Sequence, residues 1–206
     1  MKILLRAATI IDSKSPFHNQ TMDILIQDGY IKQIGVALPT NGAEEIQLPQ
    51  LQISSGWFDS SVSLGEPGFE DRETISNGLT VAAKSGFTAI ALQPNSHPII
   101  DNQGQINFVL NKAQNALTQL YPIAELFDMK KAGAIAFGDY NKSLDNANLL
   151  KIALQYVQDF DGLVIAFAQD EKIKGNGVAN EGLASTRLGL KGIPTLAEEL
   201  HIARNL

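Results

Sequence analysis

The sequence predicts an α/β protein in which a small β unit precedes a parallel sheet with helices outside it. The first fifty residues are rich in β-branched residues and show no helical period. From residue 53 onwards, apolar runs alternate with amphipathic segments, which is the order of a parallel β/α sheet. A closed eight-stranded β/α barrel takes roughly 250 residues. Residues 53–206 are fewer, so we expect a smaller open sheet or part of a barrel.

The N-terminal β unit is predicted over residues 1–52. Residues 2–12 and 22–36 have the composition of strands. The Asp-Gly step inside the second stretch is typical of a two-residue hairpin turn. Residues 44–55 are predicted as a short extended pair that is broken at Pro49.

The second part, residues 53–206, is predicted as alternating parallel strands and helices. Apolar runs that can be buried on both faces of a sheet predict strands over residues 51–62, 87–95, 118–126, 134–140 and 162–170. Apolar residues at helical spacing predict helices over residues 70–86, 104–117, 128–133, 146–160 and 195–206. The first of these helices is expected to carry acidic residues in its first turn and to stop at Gly86.

Composition argues against several functional classes. A net charge of −6 disfavours nucleic-acid binding, which needs a basic face. The lack of cysteine excludes disulfides, thiolate metal sites and a cysteine nucleophile, and it fits a cytoplasmic protein. No apolar run approaches the ~20 residues of a membrane-spanning helix. Three histidines are few for a metalloenzyme, and His18 and His201 are expected to be solvated.

The candidate functional residues are polar side chains at the carboxyl ends of the predicted strands, where α/β proteins bind ligands. They are Asp59, Ser61, Ser63, Asn95, His97, Asp139, Gln169 and Asp170. Each also has a structural interpretation. The aspartates fit turn or helix caps, the serines have no patterned base to activate them, and "PNSHP" fits a plain turn. The glycine-rich residues 175–189 lack a phosphate-loop lysine, so no nucleotide site is predicted.

Several stretches in order carry a resemblance to a known family. They are "SSGWFDSSVSLGEPGFEDRETISNGLTVAAKSGFTAIALQPNSHPIIDN", "AGAIAFGDY", "GLVIAFAQDEKI" and "NEGLASTRLGLKGIPTLAEELHIARNL". With the β unit before them, they resemble dihydroorotases of the cyclic amidohydrolase superfamily over essentially the whole chain. The resemblance implies the N-terminal half of such a protein: a β-sandwich portion followed by part of a (β/α)8 amidohydrolase barrel. Family members hydrolyse or close the dihydroorotate ring in pyrimidine biosynthesis, with zinc at the mouth of the barrel.

The resemblance also locates replaced positions on the first barrel strand. There the family has an aspartate, two histidines at alternate positions, a leucine and an arginine before a Glu-Pro-Gly turn. This chain keeps Asp59 and the turn. It has Ser61 and Ser63 at the histidine positions and Gly65 at the position of the arginine that would bind the substrate carboxylate.

Other family positions are replaced further along the chain. Phe167 stands at another histidine position and Gln169 at the glutamate that follows it. In "AFGDYN", Asp139 keeps the first of two aspartates and Tyr140 replaces the second. Asn95 keeps an asparagine that contacts substrate in the family, so it is predicted to bind substrate.

Three hypotheses follow from these positions. Serine is a poor zinc ligand beside imidazole and phenylalanine is none, so the first hypothesis is a catalytically inactive protein without a cofactor. By resemblance it would be a structural or regulatory partner of aspartate transcarbamoylase, and it would self-associate or require its C-terminal half. The second is an active zinc-dependent amidohydrolase with a displaced metal set of Asp59, His97, Asp139 and Asp170. The third is a non-catalytic small-molecule binding module around Asn95.

Overall fold

A computed structural model describes residues 1–124 and 130–206, which form two units, Met1–Gly56 and Trp57–Leu206. The boundary predicted after residue 52 falls inside the first unit. A strand that ends at Ile53 pairs with the first strand of the chain, which holds these residues in the N-terminal unit. None of the helices in the described ranges is long and apolar enough to cross a membrane.

The first unit contains a mixed five-stranded sheet. Its strands are β1 (Lys2–Ile10), β2 (Thr21–Gln27), β3 (Tyr30–Gly35), β4 (Glu44–Gln47) and β5 (Gln52–Ile53). The β1–β2 and β2–β3 pairs are antiparallel, whereas β4 and β5 both pair with β1 in parallel. The predicted hairpin turn is confirmed, because Asp28 and Gly29 have φ angles of 52° and 81°, as a type I′ turn requires.

A charged cluster ties the segment after β3 to β1. Arg6 donates to Asp23 Oδ2 at 2.7 Å, to the Leu38 carbonyl oxygen at 2.6 Å and to Glu45 Oε1 at 2.6 Å. Burial acts to raise the pKa of Asp23, but backbone hydrogen bonds and Arg6 together hold it below its ordinary value. Hydrogen bonds from Arg6 and Thr40 lower the pKa of Glu45 to about 2.

The second unit begins with a parallel sheet. Its strands are β6 (Trp57–Val62), β7 (Phe87–Leu92), β8 (Gln119–Ala124), β9 (Ala136–Phe137) and β10 (Leu163–Val164). The helices that alternate with them are α1 (Ile75–Lys84), α2 (Gln103–Lys112) and α3 (Ala147–Val157), and a 3-10 turn (Gln158–Phe160) follows α3. The strands lie in chain order across the sheet and every neighbouring pair is parallel. The predicted parallel β/α order is confirmed.

The main core lies on one face of this sheet. Buried apolar side chains of β7 pack there against those of α1 and α2. They include Ile75, Leu79, Ile90, Leu92, Ile106 and Val109. The other face carries a smaller cluster of Ala91, Ile123 and Ala136, with Ile165 packed against it. Strand β7 is therefore covered on both faces, as its continuous apolar run predicts.

Short elements between α3 and the last helix were not predicted. They are α4 (Glu171–Lys174), β11 (Ala179–Asn180), α5 (Leu183–Arg187) and β12 (Gly192–Ile193), and β11 pairs with β12 in parallel. None is long enough to show a hydrophobic period. The last helix, α6 (Leu196–Asn205), matches the prediction over residues 195–206 to within one residue at each end.

The prediction of one buried strand over residues 51–62 is wrong. The segment forms two strands, β5 and β6, and Trp57 and Phe58 are 58% and 52% exposed. Among the described strands, β6 pairs with β7 alone. Its apolar side chains therefore lie at an edge of the sheet rather than in its centre.

Three other predicted segments differ from the structure. Helix α1 begins at Ile75, because Thr74 caps it by accepting a 3.2 Å hydrogen bond from Asn77 N, so the acidic residues before Thr74 lie outside its first turn. The strand predicted over 162–170 is confined to β10. Of the helix predicted over 128–133, residues 128 and 129 lie outside the described residues and residues 130–133 form a turn.

His201 is buried rather than solvated, and this expectation is wrong. Only 2% of the residue is exposed, because α6 packs against α3 and α4. Its Nε2 lies 2.8 Å from Arg204 Nη2 and its Nδ1 lies 3.0 Å from Asn205 Nδ2. His18 is exposed, as expected, and its Nδ1 accepts a 3.1 Å hydrogen bond from the backbone N–H of Asp12.

Candidate functional site

The polar residues at the carboxyl ends of β6 and β7 meet side chain to side chain. Gln93 Nε2 donates to Ser61 Oγ at 3.1 Å, and Asn95 Nδ2 donates to Ser63 Oγ. Gln93 is buried, and its backbone N–H donates to the Val62 carbonyl oxygen at 2.9 Å. We call Ser61, Ser63, Gln93 and Asn95 the serine–amide ladder. Both serine hydroxyls at the replaced histidine positions are thus hydrogen-bonded to amides of the neighbouring strand.

Asp59 has a local role beside the ladder. Its Oδ1 accepts a 2.9 Å hydrogen bond from the backbone N–H of Ser61. This bond stabilises the backbone at the point where the β6–β7 register shifts, between Asp59 and Val62. The cap interpretation of Asp59 therefore fits the structure.

Gly65 follows the ladder at the position where the family has an arginine. Its N–H donates to the Glu73 carbonyl oxygen at 3.1 Å, and its own carbonyl accepts from Phe69 N at 2.8 Å. A Cβ atom built on Gly65 would lie 2.0 Å from the Phe69 carbonyl oxygen and 2.8 Å from that of Glu73. The backbone of this turn leaves no room for a side chain at residue 65.

The Glu66–Gly68 turn is tied to the rest of the second unit by Glu66. The side chain of Glu66 is buried, and its Oε2 accepts a 3.0 Å hydrogen bond from Ile75 N at the start of α1. Its Oε1 lies 2.8 Å from Lys112 Nζ on α2. At the other end of the turn, His97 N donates to the Pro67 carbonyl oxygen at 2.9 Å. A carboxylate inside the turn thus positions two helices.

A cavity of about 270 Å³ lies beyond Asn95. It is lined by Phe69, Pro94, Asn95, Ser96, His97, Ile99, Asp139, Tyr140, Asn141 and Lys142. Asn95 Oδ1 is buried and has no hydrogen-bond partner, while its Nδ2 is held by Ser63. Of the predicted site residues, the structure brings Asn95, His97 and Asp139 together around this cavity.

The predicted residues after β10 do not join them in that lining. Phe167 is 36% exposed, and Gln169 Nε2 donates to Glu171 Oε1 at 2.6 Å. Asp170 Oδ1 accepts from Ile173 N at 3.0 Å and from Lys172 N at 2.9 Å, so it caps α4. These backbone hydrogen bonds, that of Ile173 above all, hold the pKa of Asp170 below its ordinary value.

A second, mostly apolar cavity of about 360 Å³ lies beside α3. Its lining includes Phe137, Leu149, Ile152, Tyr156 and Val164. Asp139, two residues after the end of β9, lines both cavities.

Zinc, which the resemblance implies, does not fit these residues. Amide hydrogens point at Ser61 Oγ and Ser63 Oγ, the atoms that a cation at the histidine positions would contact, and Asp59 is engaged by its own strand. No group of three or more histidine, cysteine, aspartate or glutamate side chains that could hold a metal ion occurs among the residues described. The displaced set of Asp59, His97, Asp139 and Asp170 does not form such a group among the residues described, and only His97 and Asp139 of the four line a common cavity.

Gln93 and Glu66 are site residues that sequence reasoning missed. Gln93 and Asn95 follow β7 at alternate positions, as Ser61 and Ser63 alternate at the end of β6. Alternate residues of extended chain extend to the same side. That shared period was a usable signal. The cap and ion pair of Glu66 had no local signal, because Lys112 is far from it in the sequence.

Comparison with known proteins places the chain in a family. Residues 52–206 match the family model described as dihydro-orotase-like. The chain is 38% identical over 218 residues to a dihydroorotase of Pelotomaculum thermopropionicum and 36% identical over 219 residues to one of Ruminiclostridium cellulolyticum. Each alignment covers 100% of this chain and 51% of the relative.

Solved structures agree on the fold. A D-hydantoinase superposes with a TM-score of 0.71 at 18% identity, covering 100% of this chain and 49% of that one. The L-hydantoinase of Arthrobacter aurescens gives 0.67 at 17% identity, covering 98% of this chain and 49% of that one. The expected fold, a β portion followed by part of an amidohydrolase barrel, is confirmed. The chain belongs to the dihydroorotase-like family and spans about half the length of the curated relatives that it matches.

Proposed function

We propose that this chain is a dihydroorotase-like protein without hydrolase activity, which acts in the cytoplasm as a structural or regulatory partner of aspartate transcarbamoylase. The observation that carries the proposal is the state of Ser61 and Ser63. Both hydroxyls stand at histidine positions of the family, and both are hydrogen-bonded to amides rather than facing a set of metal ligands.

Metal-assisted hydrolysis by this family needs zinc ligands and a group that binds the substrate carboxylate, and this chain has replacements at positions for both. A bound zinc ion lowers the pKa of its water to about 7 and so supplies the nucleophile. Serine hydroxyls beside amide donors do not replace imidazole as zinc ligands. At residue 65 the backbone excludes the arginine that would bind the substrate carboxylate as a bidentate partner.

The test is an assay of dihydroorotate ring opening with and without added zinc. We expect no rate above that of the uncatalysed reaction. The dihydroorotase of Pelotomaculum thermopropionicum, assayed in parallel, is the positive control. A zinc-dependent rate from the wild-type chain, lost in the Asp59→Asn variant, would contradict the proposal.

The support for a partner comes from the surface of the second unit. Leu149, Ile152 and Tyr156 on α3 are about half exposed, as are Trp57 and Phe58 on β6. Burying such apolar area is worth about 25 cal/mol per Å². The family resemblance points to aspartate transcarbamoylase as the partner, while a second copy of the chain or a C-terminal half are the competing occupants.

Light scattering over a dilution series, with and without aspartate transcarbamoylase, separates these occupants. We expect a complex with the transcarbamoylase, or self-association of the chain alone at micromolar concentration. Ile152→Asp should weaken either assembly, and Lys151→Ala, which makes the same one-unit change in net charge at the neighbouring exposed position of α3, serves as its charge control. A monodisperse monomer that forms no complex with the transcarbamoylase would contradict the partner role.

One observation favours a second candidate function, binding of a small molecule without turnover. Asn95 Oδ1 is buried, lacks a partner and belongs to a residue that lines the 270 Å³ cavity. An N–H group of an amide or ureide would satisfy it. Dihydroorotate should then raise the melting temperature of the wild-type chain but not of Asn95→Ala, with Asn141→Ala as the cavity control.

The active-enzyme alternative has less support. It needs Asp59, His97, Asp139 and Asp170 to share a cation. Asp59 and Asp170 instead accept backbone hydrogen bonds in their own segments, and only His97 and Asp139 line a common cavity. Added zinc that supported dihydroorotate hydrolysis would restore this alternative.

A further inference from the structure

The serine–amide ladder connects the carboxyl ends of β6 and β7 by side-chain hydrogen bonds. Its two hydrogen bonds join consecutive alternate positions, Ser61 to Gln93 and Ser63 to Asn95. Between them the backbone N–H of Gln93 donates to the Val62 carbonyl oxygen at 2.9 Å. The β6–β7 register is interrupted between Asp59 and Val62, and the last paired residues are Val62 and Leu92. Ser61 therefore lies within the irregular stretch, and the Ser63–Asn95 hydrogen bond lies just beyond the end of the backbone pairing.

We infer that the serine–amide ladder joins the carboxyl ends of β6 and β7 where the family has histidines at residues 61 and 63, and that histidines at these two residues alone do not restore a metal site. The inference rests on the proposed lack of a metal site, and it adds a structural role for the hydrogen bonds found at residues 61 and 63. It assigns Gln93 and Asn95 the role of holding two strand ends together.

The chemistry of the donors explains why the ladder excludes a cation. An amide –NH₂ group directs partial positive charge at its acceptor. Gln93 is buried and its backbone N–H is held by the Val62 carbonyl oxygen, so the residue remains at the strand end when residue 61 changes.

A double-mutant cycle tests the structural half of the inference. Ser61→Ala and Gln93→Met each remove one partner with little change of shape. We expect each to lower the denaturant midpoint of unfolding, and the double variant to lower it no further than the worse single variant. Ser60→Ala combined with Gln93→Met is the matched control on the same strand, and its effects should add. Additive effects for Ser61 and Gln93 would overturn the inference.

Zinc retention tests the other half. Wild-type chain and the Ser61→His/Ser63→His variant are loaded with zinc, desalted and measured for metal and for melting temperature. We expect neither to retain zinc and neither melting temperature to rise. One equivalent retained by the histidine variant alone would overturn the inference but leave the proposed function standing, whereas one equivalent on the wild type would overturn both. If the Ser61→His/Ser63→His variant does not fold, the double-mutant cycle of Ser61→Ala and Gln93→Met still tests the inference.

Discussion

The Glu66–Gly68 turn and the strand end just before it share one loop but differ in what their polar groups do. In the turn, the buried Glu66 carboxylate contacts two helices. It accepts a hydrogen bond from Ile75 N at the N-terminus of α1 and forms an ion pair with Lys112 on α2. At the strand end, Ser61 and Ser63 make only neutral hydrogen bonds to amides. Glu66, which serves the backbone, thus keeps the residue that the family resemblance gives at its position, whereas Ser61 and Ser63 replace histidines.

The largest expected effect comes from a side chain at residue 65, between these two regions. Gly65→Ala places a Cβ atom 2.0 Å from a carbonyl oxygen of the turn, so the backbone must move. We expect a loss of about 3 kcal/mol or more in the free energy of unfolding, measured by chemical denaturation. Gly182→Ala is the control, because nothing lies within 4 Å of its built Cβ. Equal midpoints for the two variants would show that the turn tolerates a side chain.

The next effect concerns Glu66 itself. Glu66→Ala leaves Ile75 N without its acceptor and removes a buried carboxylate from its cation, so the free energy of unfolding should fall by about 2–4 kcal/mol. Glu70→Ala is the matched control in the same loop. Glu70 is exposed and accepts a 3.0 Å hydrogen bond from Gly68 N, so its loss should lower the free energy of unfolding by clearly less than the loss of Glu66. A cost for Glu66→Ala as small as that of Glu70→Ala would mean that the turn does not anchor the helices.

A smaller, pH-dependent effect contrasts the neutral ladder with the charged Arg6 cluster of the first unit. The pKa of Glu45 is lowered from 4.5 to about 2, so its stabilising contribution is present above pH 4.5 and lost as pH falls through 2. The stability difference between wild type and Glu45→Gln should therefore shrink between pH 4.5 and 2. The Ser61→Ala difference should stay constant over the same window, since neither partner in its hydrogen bond titrates there. A pH-independent Glu45→Gln difference would show that Arg6 does not hold this carboxylate charged.

Local patterns predicted much of the fold. The continuous apolar run of β7, the helical period of α3 and the Asp-Gly turn at residues 28 and 29 each depend on neighbours in the sequence, and each is confirmed. The acidic first turn of α1 was wrong because Thr74 competes as the cap. Composition favours acids near a helix start but does not choose the capping residue.

The site depended on contacts between distant segments and was less predictable. The motif identified which positions depart from the family. It did not predict that Gln93 and Asn95 donate hydrogen bonds to the hydroxyls of Ser61 and Ser63, because a contact between strands depends on register. The burial of His201 likewise depends on α6 packing against α3 and α4, which the local sequence around His201 does not reveal.

Metal content tests most directly the claim that the backbone frame is kept without the metal site. The purified wild-type chain is loaded with excess zinc, desalted and analysed for metal, with the Pelotomaculum thermopropionicum dihydroorotase treated in parallel. We expect well below one zinc per chain for this protein. One zinc or more per chain, lost on changing Asp59 or Asp139 to asparagine, would contradict it.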